Sequence, residues 1–120
     1  MDNYIDGFVH PIPREKLENY LRLLNQVAEI WKEHGALDYR EYLGDDLSLE
    51  GTLSFPGLVS AKADDAVLFG WVTFESRDAR EKINDKVATD PRMTELMTEF
   101  DTGFDPSRMA YGGFQSFFPA

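Results

Sequence analysis

Five side chains of this 120-residue chain have the types and settings to do chemistry. His10 closes the first alternating run, and an imidazole, with an ordinary pKa of about 6.5, is the natural general base near neutral pH. Arg108 stands at the mouth of the terminal stretch RMAYGGFQSFF, where its planar fork could pair with a carboxylate ligand. Tyr39, Trp71 and Tyr111 are the candidates for the walls of a ligand pocket, either between sheet and helices or between subunits. A concave site walled by aromatics with a few polar groups is the usual form of a small-molecule site. Each residue also has a plainer reading. His10 would be a partly exposed strand-end histidine, Arg108 a salt bridge to a nearby acid, and Trp71 and Tyr111 core or interface residues. His34, near a helix end, suits the local dipole better than catalysis.

Other chemistries lack their residues. There is no cysteine, which removes disulfides, thiolate zinc sites and a cysteine nucleophile together. No HxH or HExxH spacing occurs, and Asp45–Asp46, Glu50 and Asp64–Asp65 lack the spacing of a calcium loop, so no metal is expected. No nucleophile elbow, phosphate loop or dinucleotide fingerprint occurs either, and no cofactor is expected. Gly112–Gly113 lies in a strand, which marks a bulge or a close approach rather than a phosphate cradle.

These residues must be positioned by a small set of elements. Residues 4–12, YIDGFVHPI, alternate and read as a strand ending at proline. Pro13 then opens a helix to Gly35, with Leu17, Tyr20, Leu21, Leu24, Val27, Ala28 and Trp31 on its apolar stripe. ALDYREYLGDD (36–46) alternates again and reads as a second strand, with Leu37, Tyr39, Glu41 and Leu43 on one face. The stretch DLSLEGTLSFPGLVSAKADD reads as a loop with a short strand near 58–61. AVLFGWVTFE (66–75) is a strand apolar on both faces. Ser76 caps a helix with Ala79, Ile83 and Val87 inward, and Asp90 caps a shorter one beginning at Pro91. A turn at 101–107 leads to the final strand, 108–118.

The order is that of an α+β ferredoxin-like sandwich spanning 1–120 as one domain, an antiparallel sheet with helices on one face. One helical layer shelters one face only, yet the third and fourth strands carry bulky apolar groups on both. Each ring left in water forfeits roughly 1.5–3 kcal/mol. A second copy packed sheet to sheet is therefore expected, and a two-fold dimer is the commonest assembly. The net charge of −10 disfavours nucleic acid and anionic membranes as partners. The start, MDNYIDGFVH, lacks the features of a signal peptide, and no apolar run nears the roughly 18 residues of a membrane span, so the expected location is cytoplasmic.

YIDGFVHPIP (4–13), EHGAL (33–37), FGWVTFESRDAR (69–80), TDPRM (89–93) and RMAYGGFQSF (108–117) together resemble the bacterial YbaA-like proteins, the domain-of-unknown-function 1428 family. The resemblance covers nearly the whole chain. It implies a dimeric α/β-barrel fold related to small monooxygenase-like, stress-responsive and YciI-like domains, with no established activity to carry over. Cofactor-free oxygenation or isomerisation of a small apolar molecule would fit relatives of such a fold. A non-catalytic interaction or stress-response module is the alternative.

Overall fold

A computed structural model describes residues 3–119. Strand β1 is Tyr4–Pro13, helix α1 Leu17–Glu33, β2 Asp38–Leu43, α2 Phe55–Leu58, β3 Asp65–Phe74, α3 Arg77–Ala88, α4 Pro91–Glu99 and β4 Ala110–Gln115. The four strands form one antiparallel sheet in the order β2-β3-β1-β4. Among the described residues no helix is long and apolar enough to cross a membrane.

Register decides which side chains share a face, because directly paired residues point the same way. Tyr4, Asp6, Phe8, His10 and Ile12 of β1 stand opposite Phe74, Val72, Gly70, Leu68 and Ala66 of β3. Tyr39 and Glu41 of β2 pair with Val72 and Gly70, while Gly113 and Tyr111 of β4 pair with Asp6 and Phe8. This is the face the helices cover: Ile83 and Val87 of α3 pack on Tyr4, Phe8, Val72 and Phe74, and Tyr20, Leu23, Val27 and Ile30 of α1 meet Ile12, Leu68 and Leu96 of α4.

Several boundaries differ from the sequence reading. β1 runs through Pro11 to Pro13 because β3 already begins at Asp65 and the ladder continues to Pro13↔Asp65. Pairing with β4 stops at Val9, so both prolines lie where β1 has one neighbour and a missing N–H is tolerated. The buried stripe of α1 includes Leu23 and Ile30, whereas Leu21 faces water. Ser76 and Asp90 cap α3 and α4 as expected, accepting from the amides of Ala79 and Arg92. No bulge forms at Gly112–Gly113, since the β1–β4 ladder runs unbroken past both. Phe117 and Phe118 lie beyond β4 and are exposed.

The expected strand near 58–61 is instead the one-turn helix α2, closed by the Ser54 hydroxyl, which accepts from Gly57 N at 3.1 Å. Its exit buries Val59 against Val9 and Val67 on the face away from α1 and α3, with Leu47 and Ala61 beside them. The second face is thus partly sheltered from within the chain. The rest of it, with Tyr42, Phe69 and Phe114, is open.

Candidate functional site

Polar residues in the inward register create the site. Asp6 and His10 occupy positions of β1 whose neighbours Tyr4, Phe8 and Ile12 are core residues, and each is 1% exposed. Glu41 takes the same kind of position on β2, with its side chain 4% exposed. Burial of such groups is tolerated only with partners.

Gly70 makes the meeting of His10 and Glu41 possible. It lies in β3 between Phe8 and Glu41, and a Cβ there would meet Glu41 Cγ at 2.8 Å, Phe8 Cε1 at 3.0 Å and the Arg40 carbonyl. With that space empty, Glu41 and His10 reach each other across β3, Oε1 to Nε2 3.4 Å. Tyr20 descends on them from α1. Its hydroxyl lies 2.8 and 2.9 Å from the two Glu41 oxygens and 3.0 Å from His10 Nε2. Tyr39 also donates to Glu41 Oε2, at 2.9 Å. Burial first, and the adjacent Glu41 charge second, push both phenols well above their ordinary range, so both hydroxyls hold their protons.

Asp6 is the second buried carboxylate. Arg80 of α3 grips its Oδ1 through Nε at 2.9 Å and Nη2 at 2.8 Å, and Asn84 Nδ2 approaches Oδ2 at 3.3 Å. Arg80 also lies over the Tyr4 ring, 5.3 Å from its centre. Gly113, paired with Asp6, leaves the room: a Cβ would strike the Tyr4 hydroxyl and come within 2.8 Å of Arg80 Nη2. The Asp6 bond raises the Arg80 pKa further, while burial and then a hydrogen bond to Asp6 raise that of Tyr111.

Between these two polar poles, under α1 and α4, lies a cavity of about 170 Å³. Phe8, Leu24, Val27, Trp31 and Val72 form much of its wall, with Asp6 and Tyr111 toward one pole and His10, Tyr20, Tyr39 and Glu41 toward the other. Met93, Met97 and Met109 also line it, which places three of the chain's four methionines on this one surface. Unbranched thioethers adapt readily to varied ligand shapes.

Of the five residues singled out from sequence, the structure places His10, Tyr39 and Tyr111 on this cavity. Trp71 stands on the opposite face of the sheet, stacked on Tyr42 with ring centres 5.4 Å apart. Arg108 is in a 3-10 turn ahead of β4, outside the cavity wall, and its guanidinium is taken by Asp65 at 2.9 Å and the Ser60 carbonyl at 3.2 Å. His34 bonds Asp90 at 2.8 Å, linking the end of α1 to the cap of α4. Glu41, Tyr20, Asp6, Arg80 and the methionines were missed as site residues. The available signal was a charged residue at an inward position of an otherwise apolar run.

Fold and site together define an α+β protein with an antiparallel four-stranded sheet and a polar cluster buried under its helices. The chain belongs to the family described as "Protein of unknown function (DUF1428)", which it matches over residues 3–106. It is 35% identical over 113 residues to "Uncharacterized protein YbaA" of Escherichia coli (strain K12), spanning 94% of this chain and 95% of that one. The same identity and coverage hold for the protein of that description in Shigella flexneri. Among solved structures, a "De novo designed protein Foldit4" covers 98% of both chains at 8% identity and a TM-score of 0.44, too slight a likeness to carry an argument.

Proposed function

We propose that this protein binds a small, mainly apolar molecule of about the size of one aromatic ring between its helices and its sheet. The observation that carries this reading is the cavity itself, about 170 Å³ with hydrocarbon and thioether walls and a polar cluster at its end. An apolar cavity of about 150 Å³ in another protein accommodates benzene. His10 and Tyr39 serve the reading as polar and aromatic contacts, and Tyr111 as a residue of the rim, where its ring is half exposed. Titration calorimetry with toluene tests it: saturable one-site binding is expected, and no heat or thermal stabilisation at millimolar toluene would count decisively against it.

The strand order, with the long helices on one face, fits a ferredoxin-like sandwich. On that reading the uncovered side packs against a second copy, closing two sheets into a dimeric α/β barrel. Tyr42, Phe69 and Phe114 support this, being 53%, 44% and 59% exposed on one sheet face. The same residues favour the second reading, an interaction module whose role is assembly. Sedimentation equilibrium separates these readings from a lone chain, since a single-chain mass at high concentration would remove both.

A further inference from the structure

We infer that the inner end of the cavity is built to receive a hydrogen-bond donor, so that its ligand is a ring-sized apolar molecule carrying a hydroxyl or amino group and not a carboxylate or phosphate. This deepens the reading above and rests on it.

The inference comes from following each proton of the cluster. Tyr20 has one hydroxyl proton and three neighbours, the two Glu41 oxygens at 2.8 and 2.9 Å and His10 Nε2 at 3.0 Å. If that proton went to His10, two bare oxygens would face each other at hydrogen-bond distance with nothing between them. It therefore goes to Glu41, and His10 Nε2 must be the donor toward the Tyr20 oxygen. The Tyr39 proton also goes to Glu41. Each phenol and the imidazole Nε2 has thus committed its proton inside the cluster.

What remains at that end is lone pairs: those of the two phenol oxygens, the carboxylate's remaining capacity, and His10 Nδ1. Nδ1 is buried and, among the described residues, has no partner. A hydrogen on Nδ1 as well would be a buried N–H with no acceptor, so this nitrogen too counts as an acceptor. At the other pole stands a second buried carboxylate, Asp6, and the Arg80 guanidinium beside it is engaged by Asp6 and by Glu81 at 2.6 Å. An anionic ligand would meet acceptors facing acceptors beside a buried carboxylate. A hydroxyl or amine supplies the proton that the site lacks. Rejection by unpaired polar groups is the stronger half of such selectivity.

Four single-ring probes test this on the intact protein: toluene, phenol, benzylamine and benzoate, titrated by calorimetry. Spectra of 13C-methyl methionine locate the bound ring, because Met93, Met97 and Met109 line the cavity. Phenol or benzylamine is expected to bind on the order of tenfold or more tighter than benzoate, and tighter than toluene. Whichever of the two binds better distinguishes a neutral from a cationic donor. Glu41→Gln, which adds amide donors at the same place, should narrow the gap to benzoate. If toluene shifts the methyl signals but benzoate binds as well as phenol, the donor preference is wrong and the cavity stands. If no probe shifts them, both fall together.

Discussion

The two faces of the sheet use similar residues to different ends. On the helix-covered face, apolar strand positions are interrupted by Asp6, His10 and Glu41, and each interruption is answered by a named partner from a helix or the next strand. Glycines there are positional, Gly70 admitting Glu41 and Gly113 admitting Arg80. On the other face, aromatic residues stand over glycine with little above them. Phe114 leans on Gly7 and Gly112, about van der Waals distance from where their Cβ atoms would be. Among the described residues, the segment that carries α2 and Val59 covers the corner at Val9 and Val67 and sets Phe55 edge-on to Phe69. Closure from within the chain gives a cavity with fixed polar geometry; the uncovered face gives a flat, ring-rich surface that suits another surface better than a small molecule.

The largest effect should come from closing the gap that the covered face depends on. Gly70→Ala drives a methyl into Glu41, Phe8 and the Arg40 carbonyl, and overpacking of this kind should cost about 3 kcal/mol in urea unfolding. A loss under about 0.5 kcal/mol would mean that Glu41 does not occupy that space. Next comes Glu41→Ala, which strands the hydroxyls of Tyr20 and Tyr39 and should cost about 2 kcal/mol, while Glu41→Gln keeps an acceptor and costs less.

A substitution on the other face should behave differently. Phe114→Ser is expected to change the stability of the isolated chain by under about 1 kcal/mol, because the ring is largely exposed, and yet to weaken self-association in sedimentation experiments. Equal self-association of variant and parent would argue that this face stays uncovered.

The smallest effect concerns the covering segment. Arg108 ties the Ser60 carbonyl to Asp65. Burial of Asp65 works against its ionisation, but the Lys62 amide and Arg108 outweigh it and hold its pKa below the ordinary 3.8. A lowered carboxylate pKa stabilises above the ordinary value and loses that contribution as pH falls through the lowered one. The protection of amides near Val59 and Ala61, taken relative to their intrinsic exchange rates, should therefore fall in acid below about pH 4, and Asp65→Asn should lower it at neutral pH. Protection there that ignores both changes would detach the segment's order from this ion pair.

Much of the fold was legible because period-two and helical spacing report burial directly. The runs read as strands at 4–12, 36–46 and 66–75 correspond to β1, the shorter β2 (Asp38–Leu43) and β3, and Ser76 and Asp90 act as caps through their own oxygens. The α2 segment was not legible: its serine, proline and glycine also fit a loop, and one capped turn has no periodicity to detect. The site was half legible. Alternation already put Tyr39 and Glu41 on one face, but nothing local says that Glu41 is buried. That depends on Gly70 in another strand and Tyr20 in a helix, a coincidence of register across three elements. Trp71 looked like a pocket wall because strand parity leaves open which face the helices choose.

Diffraction from crystals held under xenon tests the cavity most directly, since an apolar void of this size admits the gas and a water-filled one does not. An anomalous peak is expected within contact of Leu24, Val27, Trp31 and Met93, beneath α1. Ordered water filling that space, or side chains collapsed into it, would contradict the ligand site and the donor preference built on it.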